Sequence, residues 1–238
     1  MPGRLSASDV ANLPLFARVK VVRAVAFLAT LPIQSNASKL SFFRELPGYI
    51  EDASQSVLDR HVLGSILAAP MFLEPEAEAL LRPILTPRTP VSGTFPMTIF
   101  ESRVVPFLLS SFALRHVQQR IVLLHLFDCY AEAFSRAQLQ QSIIPELILG
   151  LDDANNDIMI ASFCALCRAV PLGADVAPLA ADAPHSPDVL LDDHVFPAYA
   201  YIMTMEESTA ANREDATLAV LQLWSLGFTK DVRFVSVL

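Results

Sequence analysis

The sequence predicts an all-α fold, an α-solenoid of stacked antiparallel helix pairs, from composition, a near-repeat and the placing of prolines. Of 238 residues, 53% are hydrophobic and only 7 are glycine, against 15 phenylalanines and 6 methionines, which favours helices over turn-rich sheets. The segment Arg103-Val-Val-Pro106-Phe-Leu-Leu returns as Ser142-Ile-Ile-Pro145-Glu-Leu-Ile-Leu, 39 residues later, and each copy leads into a second apolar stretch. A period of that size belongs to helix pairs that bury their apolar faces on neighbouring pairs and build extended binding surfaces.

The elements follow in order. Residues 14–31 place Leu15, Phe16, Val19, Val22, Val25, Ala26 and Leu28 near a helical period, and Pro32 stops them. Lys39 to Leu46 forms a short helix ending at Pro47-Gly48. Ser54 to Leu67 shows one face of Leu58, Val62, Leu63, Ile66 and Leu67, and its companion, Pro75 to Leu85, carries Glu74, Glu76 and Glu78 where a helix N-terminus favours acids. Residues 86–96 hold Pro87, Pro90, Gly93 and Pro96 and read as an exposed connection. Thr98 to Phe112 is then bent by Pro106, and Val117 to Phe134 is its longer partner, with Ile121, Leu124, Phe127 and Ala131 on one face. The next pair is Leu139 to Leu151 and Ile158 to Val170, joined by a run from Asp152 to Asp157 rich in helix-capping side chains. Residues 171–193, with four prolines and several acids, read as a linker between a helical domain at 1–170 and a C-terminal segment at 194–238. In that segment Val195 to Met205 pairs with Ser208 to Leu226, which starts at a Ser208 or Thr209 cap, shows an apolar face of Leu218, Leu221 and Trp224, and ends at Gly227.

Charge and cysteine usage narrow the function. With 17 Lys and Arg against 25 Asp and Glu, the net charge of −8 argues against a nucleic-acid partner, which requires clustered cations. Three cysteines, Cys129, Cys164 and Cys167, do not make a disulfide scaffold and point to a reducing compartment. The run Val19 to Leu31 is broken by Lys20 and Arg23 and falls short of a bilayer span, so no transmembrane segment is expected.

Helix pairs with a proline in the first helix resemble HEAT repeats. That pattern sets an aspartate eight positions and a base fourteen positions after the proline. Pro145 is followed by Asp153 and Pro106 by Arg120, while Leu114 and Met159 hold the other two slots. An earlier degenerate unit sits at His61-Val-Leu-Gly64-Ser-Ile-Leu. Taken together, Phe42-Phe43-Arg-Glu-Leu46, the stretch from Ile99 to Leu109 and the stretch from Gln138 to Asp152 resemble the HEAT region of the Scy1-like pseudokinases, over roughly residues 40–170. The resemblance implies a non-catalytic cytoplasmic adaptor with an ezrin-family or vesicle-coat partner, at work in Golgi-associated traffic or in adhesion and migration, and peripheral to Golgi or cell-edge membranes. Of the kinase-like domain that accompanies this region in the family, the chain shows no glycine-rich loop, Val-Ala-Ile-Lys, His-Arg-Asp or Asp-Phe-Gly. The competing expectation is a regulatory fragment or subunit that docks on a kinase-like partner.

Chemical sites are weak in the sequence, and no cofactor, metal or catalytic residue is expected. Cys164-Ala-Leu-Cys167 lacks a second ligand pair and sits in an apolar run, so it reads as core. His125, Asp128 and Cys129 share one predicted helix without forming a shaped site. Arg115, Gln118, Gln119 and Arg120 form the most polar stretch of the central repeat, either a solvated face or part of a partner groove, with Arg120 alternatively an interlayer ion-pair residue. The ending Ser236-Val-Leu238 suits capture of a free carboxylate but occurs often by chance.

Overall fold

The computed structural model describes residues 20–50, 53–74, 76–88, 93–114, 116–174 and 186–228. Pro75, Arg115, His185 and the expected tail beyond residue 228 lie outside them. Among the described residues the fold is all-helical, without strands, and it divides into two compact units between Phe107 and Leu108.

The first unit contains α1 (Lys20–Ala29), α2 (Asn36–Ile50), α3 (55–66), α4 (Ala77–Leu85) and the start of α5 (97–113). Phe42 organises its beginning. The ring stacks on Phe27 of α1 at 4.1 Å between centroids, meets Phe43 edge-on at 5.4 Å and lies 5.8 Å from Tyr49. The expected stop at Pro47 does not occur. Helix α2 runs through that proline for a further turn, because Leu46 and Ile50 on either side of it are buried and hold the backbone in place. Glu74, expected as a helix-terminal charge, instead accepts from the Nζ of Lys39 at 2.6 Å, a pair that lets Lys39 sit 4% exposed. The described ends of the connection 86–96, residues 86–88 and 93–96, are more fixed than its composition implies. The Arg88 amide donates to the Phe95 carbonyl at 3.0 Å, Thr94 and Phe95 are fully buried, and Gly93 takes a φ of +83° where a Cβ would press on the carbonyl of Thr86.

The second unit holds α6 (Val117–His125), α7 (Phe127–Tyr130), α8 (136–151), α9 (Asn156–Gly173), α10 (187–204) and α11 (Ala210–Ser225), with α9 at its centre against α6, α8, α10 and α11. The single helix expected from Val117 to Phe134 is broken at Leu126. Its amide is shared between the carbonyls of Val122 and Leu123, and Tyr130 Oη donates to the Leu123 carbonyl at 2.7 Å. An edge-to-face series of Phe112, Phe127, Tyr130 and Phe134 packs behind that break. Caps set the helix starts. Ser135 and Gln138 form a reciprocal capping box for α8, Asn155 accepts from Asp157 and Ile158 at α9, and Thr209, rather than Ser208, caps α11. The edges of the expected linker 171–193 are helical: α9 continues through Pro171 to Gly173, and α10 begins at Pro187. Gln140 and Arg136 of α8 donate to the carbonyls of Gly173 and Ala174 and so secure the end of α9.

Helix α9 is long and apolar enough to cross a bilayer by length and composition, contrary to the expectation that no stretch would be. Its stretch is 67% buried among four neighbouring helices, as a core helix would be, and does not indicate a transmembrane segment.

A local device recurs along the chain. Among the described residues, four helices contain a widened π turn, at Leu58–Leu63, Phe100–Val104, Leu139–Ile143 and Leu191–Val195. Six positions after the first residue of each stands Gly64, Pro106, Pro145 or Pro197. In the three proline cases the last amide before the ring reaches back five residues, Val105 to Phe100, Ile144 to Leu139 and Phe196 to Leu191. Proline supplies no amide, and its ring crowds the carbonyl four residues back; the wider turn makes room for it without breaking the helix. Pro106, expected to bend its helix, stands behind such a widened turn.

Candidate protein-binding groove

The expected signature residues fall into different settings. Arg120 is 5% exposed, and its Nη2 donates to the Glu146 carbonyl at 2.7 Å, tying α6 to the middle of α8. Asp153 is half-buried and accepts from the Asn155 amide at 2.9 Å, shaping the turn before α9. The two form no ion pair: the carbonyl has taken the base and the turn has taken the acid. Pro106 is exposed and Pro145 half-buried, each behind its widened turn. Of the polar stretch at 115–120, Gln118 is exposed, but Gln119 is 6% exposed and its Nε2 donates to Ser111 Oγ at 3.1 Å. Gln119 thus offers no surface to a partner. Local polarity suggested one, but the hydroxyl that satisfies Gln119 lies eight residues back.

A groove of about 850 Å³ lies elsewhere in the second unit. Ile160, Ala161, Cys164 and Ala165 of α9 make its floor, between Asp157 and Arg168. Leu124, His125, Phe127 and Asp128, from α6 and α7, make one wall; Asn212, Asp215, Leu218, Ala219 and Gln222 of α11 make the other, which ends at Ser225 and Leu226. Small side chains on α9 keep the floor low. Leu218, half exposed, and Leu226 present apolar surface at the wall. This corrects two of the three residues in the expected face of α11: Leu218 and Leu221 are exposed and Trp224 is half-buried, while Ala216, Ala219, Val220 and Leu223 are buried.

The electrostatics of the groove are acidic. Asp128, Asp157 and Asp215 line it, while Arg168 Nη2 is held by Glu132 at 2.6 Å. Burial, followed by the nearby charge of Asp215, pushes the Cys164 thiol up to about 12, and burial drives Cys167 well above its ordinary value. Both thiols are protonated near neutral pH, which suits packing rather than nucleophilic work. Cys167 is core as expected, whereas Cys164 is half-buried in the groove floor. Among the described residues no His, Cys, Asp and Glu side chains gather as a metal site.

A smaller hollow of about 440 Å³ opens between the end of α8, the start of α9 and α10. Asp152, Asp153 and Asp193 line it together with His194 and Tyr201.

No family model matches the chain, and no solved structure matches it. Over 163 residues, 66% of its length, the chain is 31% identical to the mouse protein named protein-associating with the carboxyl-terminal domain of ezrin. It spans only 22% of that relative's length. The likeness is to a protein whose name describes association with another protein, and it supports a protein-binding role in general terms.

Proposed function

We propose that this chain is a non-catalytic protein-binding scaffold, the HEAT-repeat region of a Scy1-like adaptor, and that its partner is the C-terminal domain of an ezrin-family protein. The identity to the mouse ezrin-associating protein carries this reading. The recurrence of a widened turn before Gly64, Pro106, Pro145 and Pro197 supports it, since one local solution used four times is what a chain of related helix pairs would contain. The placing in adhesion and migration comes with that partner; Golgi-associated traffic through a vesicle coat is the other setting the resemblance implies. Either would put the chain in the cytoplasm beside a membrane.

The test is surface plasmon resonance of the purified chain over an immobilised ezrin C-terminal domain and over a purified vesicle-coat complex. Saturable binding to the ezrin domain is expected. Binding to the coat alone would move the reading to traffic. A chain that is helical by circular dichroism yet binds neither would refute it.

A further inference from the structure

The groove in the second unit has a shape and a charge that together specify what it accepts. From Asp157 to Arg168 its floor covers eleven residues of helix rise, about 16 Å, which matches three turns of a second helix laid along it. The floor is apolar and low, and Leu218 and Leu226 stand at the α11 wall. Around that apolar strip the acids are distributed: Asp157 at the beginning of the floor, Asp215 facing Cys164 at its middle and Asp128 on the opposite wall. The arginine of the lining is engaged by Glu132. An acidic partner helix would meet like charge on both walls, whereas a helix with an apolar stripe flanked by lysine or arginine would set the stripe on the alanines and its cations against the aspartates.

We propose that this groove is the docking site for a basic amphipathic helix of the protein partner. The proposal rests on the reading of the chain as a protein-binding scaffold and adds to it the place and the chemistry of binding.

The test uses the full chain and fluorescence anisotropy of a labelled peptide of about eighteen residues, with leucine on one helical face and lysine on the other. A second peptide replaces lysine by glutamate, and a third keeps the composition but scrambles the face. Only the first should bind the wild type. Asp215→Lys combined with Asp157→Asn should weaken it by about tenfold or more, and Leu218→Ser should weaken it independently of salt. Glu214→Lys, on an exposed neighbour that does not line the groove, makes the same charge change as Asp215→Lys and should have much the smaller effect. Equal binding of the scrambled peptide, or equal effects of the Glu214 and Asp215 variants, would overturn the proposal. Binding by a chain ending at Phe228 but not by the full chain would also overturn it, making the chain's own last ten residues, with Lys230 and Arg233, the occupant. The two readings fail separately: an ezrin domain that binds wild type and the Asp157/Asp215 variant equally refutes the groove and leaves the scaffold standing, and a bound peptide with binding to neither the ezrin domain nor the coat complex leaves the groove and refutes the partners given to the scaffold.

Discussion

Gly150 of α8 faces Ser162 of α9. A methyl group there would press on Ser162 Oγ, lie 2.8 Å from its Cβ and lie 3.1 Å from Arg120 Nη2. The helix-propensity gain of alanine, about 1 kcal/mol, is therefore outweighed, and Gly150→Ala should lower stability by a net ~1–2 kcal/mol, read as a shift in the urea midpoint. Arg120→Ala should cost at least as much, because it removes a buried charged donor from the part-buried Glu146 carbonyl, while exposed Gln118→Ala should stay within about 0.5 kcal/mol. Equal effects at 118 and 120 would contradict this assignment. Cys164 supplies a pH test. Its folded-state pKa, about 12, lies above the ordinary 9.0, so the folded chain keeps a proton that the unfolded chain releases. That stabilisation is complete below about pH 9 and declines as pH rises toward 12. Cys164→Ala should flatten the fall in melting temperature over that window, with Cys167 sustaining the remainder; an unchanged slope would show that the thiol is not shielded. Little of this was legible beforehand. Arg120, Gln118 and Gln119 stood out as one polar stretch, yet only the partners brought up by other helices decide which of them is buried.

The widened turn shows how elements were read from the sequence and where that reading stopped. Pro106 and Pro145 were visible because they are 39 residues apart in similar apolar blocks. Pro197 repeats the arrangement in Leu191-Asp-Asp-His-Val-Phe-Pro197, but 52 residues after Pro145, with the proline-rich stretch between them breaking the period. Helix existence followed from apolar spacing almost throughout. The ends went wrong at Pro47 and Pro171, where packing on either side outweighed the local signal to stop. The contrast is measurable. Pro145 already has a turn that accommodates it, so Pro145→Ala should change stability by less than about 1 kcal/mol; Pro47 is inside α2 with no such turn, and Pro47→Ala should stabilise by more, toward the ~3 kcal/mol cost of an interior proline. Urea unfolding of the two variants decides it, and an equal gain at both positions would remove the role given to the π turn.

At the scale of the whole molecule, the proposed docking rests on the groove of the second unit. That unit's central helix is apolar, and α6, α8, α10 and α11 pack on it; the groove between Asp157 and Arg168 has buried Ile160, Ala161 and Ala165 and half-buried Cys164 along its floor. No spacing rule reveals that groove, since its walls come from residues 124–128 and 212–226, on either side of the stretch read as a linker. The class of function was nevertheless legible, through ordered apolar blocks rather than through any catalytic motif. The most direct measurement is isothermal titration of the full chain with the C-terminal domain of an ezrin-family protein, for the wild type and for Asp157→Asn with Asp215→Lys. Saturable 1:1 binding, with a Kd of about 10 μM or tighter, weakened about tenfold or more in the variant, is the predicted result. No saturable binding up to about 100 μM by a folded wild-type chain would contradict the account.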